Sequence, residues 1–213
     1  MQNDGNVAFK CTYHDGPNSP FGIGFFDVCT KENIIRNIEA GRIQCCNSNC
    51  AEYYESDFEN DEPSFPCYES DIFAYWQFAS GWYQTGKKHM PIQMNDAREG
   101  KIAVMTTRPP RSTEEERRIF AIMYISRVDP STDKSECWVH FDPYKSIALK
   151  REEWLDFWDF YSTETGDIIW GTGLFRYMSD REVKKILRAV SKIRRFKRRL
   201  NPAEELLRKL EEN

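Results

Sequence analysis

The chain of 213 residues is long enough to bury a substantial core, and a composition that is 40% hydrophobic and 14% aromatic excludes a disordered chain. No apolar run approaches the roughly 18 residues of a membrane span, and the polar start MQNDGNVAFK lacks the regions of a signal peptide, so we expect a cytoplasmic protein without a membrane partner. The net charge is −4, yet Arg181–Arg199 holds ten basic residues against one acidic residue, so the overall acidity conceals a basic segment.

The first seventy residues read as largely irregular, with one exception. Lys31–Ala40 (KENIIRNIEA) predicts a short amphipathic helix, with Thr30 as its N-cap and Gly41 just beyond its C-cap. Farther along, Asp71–Tyr83 (DIFAYWQFASGWY) is densely aromatic. That density is consistent with a buried helix or with the wall of a pocket.

The clearest strand signals lie in the middle of the chain. Lys101–Thr107, Arg118–Val128 and Cys137–Phe141 are rich in β-branched and aromatic residues and are bounded by turn-forming residues. The connection over residues 108–117 is too short to hold a crossover helix and its turns. We therefore expect antiparallel neighbours in this part of the sheet.

The C-terminal third carries helical patterns. Lys150–Tyr161 (KREEWLDFWDFY) repeats aromatic residues at helical spacing and predicts a helix. Ser179–Ile193 opens with a capping box and continues with an apolar stripe. Asn201-Pro202 then ends that helix or starts another. Between the two patterns, Gly171–Gly173 lacks the residues of a phosphate-binding loop and predicts a turn.

Taken together, these elements predict an α+β fold. We expect a single domain over residues 1–193, which includes an irregular, Cys-containing N-terminal region. A basic and amphipathic helical tail over residues 194–213 follows it at the periphery.

Three of the seven cysteines lie within the decapeptide GRIQCCNSNC. The spacing of Cys46 and Cys50 fits one half of a zinc knuckle, and Cys29 and Cys67 are our candidates for the other two ligands. Cys45 and the pair Cys11/His14 are the alternatives for completing the site. The alternative is that these thiols are small buried apolar side chains. A catalytic thiol would need an activating base, and the sequence pairs none of the three histidines with a particular cysteine. We expect no required cofactor, and a structural zinc ion stays open.

The basic segment supplies a second set of candidates. A concentration of cations favours binding to phosphate groups, and the alternative is a solvated helix face or a subunit contact. The phosphate-binding candidates are Lys192, Arg194, Arg195, Lys197, Arg198 and Arg199.

The strand pair KIAVMTTR and RRIFAIMYISRV resembles the central hairpin of the PUA-like superfamily, which includes the EVE, ASCH and YTH domains. The resemblance extends over about residues 70–190. It implies a small, partly open antiparallel or mixed β-barrel flanked by helices, and an aromatic pocket that accepts a flipped, often modified base without reacting with it. By position, Thr106, Thr107 and Arg108 would lie beside that pocket. The candidates for stacking on a base are Trp76, Trp82 and Tyr83.

These patterns predict a non-enzymatic domain that binds DNA or RNA. Two alternatives from other classes stay open. The first is a metal-stabilised interaction module, which binds a protein partner or a second copy through the C-terminal tail. The second is a nuclease that uses scattered carboxylates and a divalent cation.

Overall fold

The structure, a computed structural model, describes residues 4–11, 30–46, 49–59, 72–85, 88–109, 112–132, 135–163, 165–171, 173–193 and 201–212. The strands within these ranges are β1 (Asn6–Lys10), β2 (Gln77–Ala79), β3 (Trp82–Thr85), β4 (Lys88–Pro91), β5 (Ile102–Thr107), β6 (Arg118–Asp129), β7 (Trp138–Ala148), β8 (Leu155–Asp156) and β9 (Phe175–Met178). The α-helices are α1 (Lys31–Glu39), α2 (Ile43–Cys46), α3 (Asn49–Glu55), α4 (Ile72–Tyr75), α5 (Asp180–Ser191) and α6 (Pro202–Glu212). Short 3₁₀ turns cover Glu114–Glu116, Arg151–Glu153 and Phe157–Asp159.

Seven strands form one curled, half-barrel sheet in the order β2-β7-β6-β5-β1-β9, with β8 paired to the start of β6. The pair β1–β5 is parallel and the other pairs of this sheet are antiparallel. The register shifts once between β5 and β6 and twice between β6 and β7, and such bulges increase the twist of a sheet. The predicted α+β class, the three central strands and their antiparallel order are confirmed.

The centre of this sheet includes a strand that the sequence analysis missed. β1 lies between β5 and β9, and its residues Val7, Ala8 and Phe9 have no solvent exposure. Reading the first seventy residues as irregular apart from one helix is therefore wrong for this segment. Its five residues are too few to show a strand pattern, because their burial depends on neighbours about a hundred and about a hundred and seventy residues later.

Each face of the sheet carries its own apolar layer. One layer includes Ile102 and Val104 of β5, and α5 and α6 pack on it. The other includes Ala103 and Met105 of the same strand. This alternation follows from the period of two in a β-strand. A sheet covered on both faces explains why the six residues of β5 are all buried.

The predicted helix at Ser179–Ile193 is confirmed as α5. The Ser179 hydroxyl accepts a hydrogen bond from the Glu182 backbone N–H, and the Glu182 carboxylate accepts one from the Ser179 backbone N–H at 2.7 Å. Such a capping box satisfies two backbone donors that the first turn leaves without a helical partner. The apolar stripe of α5 is fully buried against the sheet.

The described part of the C-terminal segment is helix α6, and it packs on the same layer as α5. Ala203, Leu206 and Leu210 are at most 3% exposed and belong to the apolar layer that includes the centre of the sheet. The Asn201 side chain caps the helix by accepting a hydrogen bond from the Ala203 N–H at 3.0 Å. The amphipathic stripe of residues 202–212 is thus covered within the chain and is not peripheral.

Neither aromatic segment is a continuous helix, which was the prediction for Lys150–Tyr161 and one of the two interpretations of Asp71–Tyr83. In Asp71–Tyr83, α4 ends after one turn at Tyr75, Trp76 has a φ of +51°, and two strands follow. Lys150–Tyr161 consists of two 3₁₀ turns separated by β8. There the Phe157 N–H bonds the Arg117 carbonyl at 2.9 Å, so pairing with β6 replaces the bonds of a helix.

Helices α1 to α3 form a small apolar cluster of their own. α1 confirms the predicted helix, because the Thr30 side chain caps it by accepting from the Asn33 N–H and Gly41 follows it with a φ of +68°. The cluster is built on Ile34 of α1 together with Cys50 and Tyr53 of α3. It is separate from the two layers of the sheet.

Candidate anion-binding site

Basic side chains from four parts of the chain meet at one edge of the sheet. β1 and β5 are parallel, so their carboxyl ends lie at the same edge, where Lys10 ends β1 and Arg108 follows β5. Arg117 directly precedes the antiparallel strand β6 at this edge. Arg176 joins them from β9, where it pairs with Ala8 of β1. We call Lys10, Arg108, Arg117 and Arg176 the cationic cluster.

Arg117 is the buried member of the cationic cluster, with 2% of its surface exposed. Its Nε and Nη2 atoms both donate to the carboxylate of Glu114, and its Nη1 donates to the Thr106 hydroxyl at 3.2 Å. The guanidinium carbon lies 4.7 Å from the ring centroid of Trp170. A buried charge needs this complete set of partners, since an unpaired one would be strongly unfavourable.

The partners of Arg117 are themselves held in place. The Thr106 hydroxyl donates to the Phe9 carbonyl at 2.7 Å, so this one side chain connects β5, β1 and the guanidinium. The indole N–H of Trp158 donates to the Glu114 carbonyl at 2.7 Å. This network fixes the base of the site before any ligand arrives.

The other three cations lie around the buried Arg117 and are partly exposed to solvent. The Lys10 amino group donates to the Gly171 carbonyl at 3.1 Å, and Arg176 donates to the Trp170 carbonyl. Arg108 lies 3.6 Å from the Glu114 carboxylate, and its side chain is 46% exposed. Gly171 has a φ of +76°, which a residue with a Cβ atom adopts only with strain, and such an atom would lie 2.7 Å from Arg176 Nη2, so the end of the Arg176 side chain would have to shift.

Electrostatics at the site favour an added negative charge. Within the described part of the chain, the charged groups that act on the Lys10 amino group are the three arginines and one carboxylate, Glu114, so these five groups together carry a formal charge of +3. Burial lowers the pKa of Lys10, Arg117 lowers it next, and Arg108 and Arg176 lower it further. Glu114 acts in the opposite direction and raises it. A phosphate or carboxylate bound here would relieve this repulsion, which makes the cluster a candidate anion-binding site.

Three of the predicted base-pocket residues lie at or near this edge. Thr106 is a fully buried structural partner of Arg117, and Thr107 is also fully buried. Neither side chain is open to a ligand. Arg108 is the exposed member of the three and belongs to the cationic cluster.

The predicted stacking residues lie elsewhere. Trp76 is half-buried, contacts Phe73 with ring centroids 5.7 Å apart and packs on the layer opposite the helices. Trp82 is half-buried in β3, and its indole group is hydrogen-bonded to the Glu136 carboxyl. Tyr83, which is 49% exposed, follows Trp82 in the hairpin.

The structure therefore does not bring the six predicted base-pocket residues together. Thr106 pairs with Ile119 at the start of β6, whereas Trp82 lies beside Glu136, just before Trp138 pairs with Asp129 at the end of β6. Ten residues of extended strand separate these positions, which is about 30 Å along β6. Two separate surfaces take the place of one pocket.

The predicted phosphate-binding residues fall mostly outside the described part of the chain. Lys192 is exposed and lies at the C-cap of α5. The remaining five candidates, Arg194, Arg195, Lys197, Arg198 and Arg199, lie outside the described residues. Their part in binding stays a prediction.

Two of the four predicted metal ligands are described. The Cys46 thiol donates to the Ile38 carbonyl at 3.7 Å, and Cys50 is 3% exposed and packs in the apolar cluster of α1 to α3. Cys29 and Cys67 lie outside the described residues. Among the residues that the structure does describe, no three His, Cys, Asp or Glu side chains are arranged to hold a metal ion.

The sequence analysis missed Lys10, Arg117 and Arg176 as site residues. One local signal was present, because Glu114 and Arg117 stand three residues apart in a charged connection. Lys10 also ends an otherwise apolar pentapeptide. Their meeting depends on the strand order β5-β1-β9, which no local pattern shows.

Comparisons with known proteins add no further assignment. No protein-family model matches the chain, and no significant match was found among the curated proteins or the solved structures. Within the described ranges, no helix combines the length and the apolar character needed to cross a membrane.

Proposed function

We propose that this chain is a nucleic-acid-binding protein whose cationic cluster holds a backbone phosphate. The observation that carries the proposal is the formal charge of +3 that the described residues bring together at this edge of the sheet, where the Arg108 side chain is 46% exposed. Phosphate is the anion that nucleic acids present in regular repetition, and its contacts position a protein on the strand. The proposed role is binding and not catalysis.

The members of the cationic cluster differ in burial and in partners, and this difference supports the proposal. Arg117 is buried and held by Glu114, Thr106 and Trp170, so it contributes charge and rigidity. Arg108 is exposed and Lys10 is half-buried, so they supply the donors that a phosphate would contact. Donors held on strand ends lose little conformational entropy on binding.

Recognition of a base belongs to the same proposal at a second surface. Trp82 and Tyr83 lie on the β3–β4 hairpin, and the indole group of Trp82 is held by Glu136. A fixed, half-exposed indole ring is suited to stacking on a base. Together with the curled sheet, this hairpin is our reason to propose a PUA-like, base-reading domain of DNA or RNA.

The test compares Lys10→Met and Arg108→Ala with the wild type. Fluorescence anisotropy should measure binding to single- and double-stranded DNA and RNA, each with and without base modifications, over a series of salt concentrations. We expect each variant to weaken binding to every sequence alike. The slope of log affinity against log salt should fall by about one for each lost phosphate contact. The double variant should bind at least about tenfold more weakly.

Arg98→Ala is the matched control. Arg98 is exposed, and its backbone N–H donates to the Gly5 carbonyl just before β1, so it lies at the opposite end of β1 from Lys10. We expect this variant to bind as the wild type does. If the control and the cluster variants lose the same amount of affinity, the loss reflects the overall charge of the protein, and the proposed site is contradicted. A wild type that binds none of the oligonucleotides at low salt would refute the function itself.

A further inference from the structure

Two adjacent isoleucines project from the loop beside the cationic cluster. Ile168 is 43% and Ile169 is 61% exposed. Among the described residues, the other exposed large hydrophobic side chains stand singly in the sequence. We call residues 165–171 the isoleucine loop. Single exposed apolar side chains are ordinary, but an exposed pair in a fixed loop suggests a contact with another molecule.

The isoleucine loop is held at its start by hydrogen bonds. The Thr163 hydroxyl donates to the Asp167 carbonyl at 2.8 Å, and the Gly166 N–H donates to the Thr163 carbonyl at 3.1 Å. Gly166 has a φ of +77°, which a glycine adopts without strain. The chain therefore turns at a defined place just before the two isoleucines.

The isoleucine loop is held at its end by a buried ring. Trp170 is 1% exposed, lies 5.1 Å from the Phe157 ring and donates from its indole N–H to the Gly173 carbonyl at 2.7 Å. A neighbouring residue this firmly packed limits how far Ile169 can move toward the core. The exposure of the pair is thus a property of a built loop.

The same loop forms part of the cationic cluster. The Trp170 ring lies under the Arg117 guanidinium, and the Trp170 carbonyl accepts from Arg176. The next carbonyl, that of Gly171, accepts from Lys10. Residues 168–171 therefore hold both the exposed isoleucines and the contacts to the cationic cluster.

We propose that Ile168 and Ile169 act as a wedge that packs against nucleobases, in a nucleic acid whose phosphate lies in the cationic cluster. This inference rests on the proposed function. A nucleotide carries the apolar face of its nucleobase a short distance from an anionic phosphate. This arrangement matches two apolar isoleucines next to a group of cations. Apolar side chains, isoleucine among them, insert between base steps and partly unstack them.

An anionic membrane surface is the less suitable partner for this loop. Asp167, directly before the pair, is exposed and would face a plane of like charges. The net charge of −4 repels a nucleic acid as well as a membrane, so the local charges around the isoleucine loop decide between the two. A single phosphate group interacts mainly with the local charge of the cationic cluster.

The test uses the double variant Ile168→Ser/Ile169→Ser. Its matched control is Tyr144→Ser, which removes a side chain that is 95% exposed on β7. Anisotropy measures affinity over a salt series, and oligonucleotides that contain 2-aminopurine report unstacking as a rise in fluorescence. Circular dichroism and thermal melting should show that both variants fold as the wild type does, since none of the changed side chains belongs to an apolar layer.

We expect the wild type and the control to raise 2-aminopurine fluorescence on binding. The double variant should lose this rise and bind about tenfold more weakly, with an unchanged salt slope, because its phosphate contacts remain. Equal signals from the double variant and the wild type would overturn the wedge. So would binding by the wild type without any rise, although the proposed function would survive that result.

Two further outcomes bear on the nucleic acid and on a membrane as partners of the loop. If the wild type binds no oligonucleotide at all, the proposed function fails and the wedge fails with it. Vesicles that contain phosphatidylserine provide the last comparison. Binding to them that the double variant loses, without any rise in 2-aminopurine fluorescence, would overturn the wedge and assign the loop to a membrane surface.

Discussion

The carboxyl group of Glu136 lies just before β7, and its Oε2 atom is buried without a hydrogen-bond partner among the described residues. The Gly81 N–H and the Trp82 indole bond the carboxyl group and favour its ionised form, but burial is the larger effect and raises its pKa. A group in this position carries a cost that a neutral side chain would avoid.

Glu136→Gln should therefore stabilise the fold in a pH-dependent way. Folding raises the pKa of Glu136 above its ordinary value of 4.5, so the folded state holds this proton to a higher pH than the unfolded chain does. The cost of ionisation is absent well below that value and grows as the pH rises through the raised pKa. Urea unfolding near pH 4 and near pH 7.5 should show a stabilisation by the variant that is larger at the higher pH.

Glu152→Gln serves as the control, because Glu152 is exposed. We expect its difference in unfolding free energy from the wild type to change little between the two pH values. If Glu136→Gln destabilises the protein equally at both, the hydrogen bond to Trp82 outweighs burial. The prediction would then be wrong.

Single residues also mark the limit of what the sequence could predict about the site. The charged connection containing Glu114 and Arg117 is visible in the sequence, but the burial of Arg117 is not. Arginine is rarely buried, and Arg117 needs Thr106 and Trp170 beside the local partner Glu114 to be stable there. Those partners lie eleven residues before Arg117 and more than fifty residues after it.

At the scale of elements, α6 covers part of the helical face of the sheet. Leu206 is 2% exposed within this layer, whereas its neighbour Leu207 packs at the edge and is half-buried. The two side chains have the same volume and helix propensity. They therefore form a matched pair for testing how α6 is packed.

Leu206→Ala should lower the free energy of unfolding by about 2–4 kcal/mol, because it leaves a cavity in a packed layer. Leu207→Ala should have a clearly smaller effect, since solvent already reaches that side chain. Chemical denaturation of both variants measures the difference. Equal and small effects would mean that α6 is a peripheral tail after all.

Local patterns predicted the elements whose ends and faces are set by their own residues. α1 and α5 carry their N-caps in the sequence, and β5 to β7 carry dense apolar runs between turns. The helix predicted for Lys150–Tyr161 was wrong because aromatic residues three and four apart also suit 3₁₀ turns around a short strand. Pairing of Leu155 with Ile119 decided the outcome, and that contact is not local.

At the scale of the whole molecule, sheet order assembles the candidate site. Lys10, Arg108 and Arg176 are far apart in the sequence and meet because β1 enters between β5 and β9. The α+β class and a curved sheet could be predicted from the sequence patterns of the central strands alone. The anion site needed the strand order as well, which neither composition nor periodicity determines.

The cysteines lie in two different parts of the apolar interior, so they can show whether these parts unfold together. Cys50 belongs to the apolar cluster of α1 to α3, whereas Cys137 belongs to the layer of the large sheet opposite the helices. Among the described residues, the buried members of the α1–α3 cluster are Ile34, Cys50 and Tyr53. Such small units open at a lower free energy than the global transition of the domain.

We therefore expect Cys50 to become reactive at a lower urea concentration than Cys137. Pulse alkylation followed by mass spectrometry measures each thiol along the urea series, with rates normalised to those in fully denaturing urea. Normalisation is needed because burial, and secondarily Asp129, raise the pKa of Cys137 to about 11, which slows its reaction while it is folded. Coincident labelling curves would show that the α1–α3 cluster and the sheet unfold as one cooperative unit. A metal ion on Cys46 and Cys50 would protect both thiols, and adding a chelator would then shift their curves to lower urea.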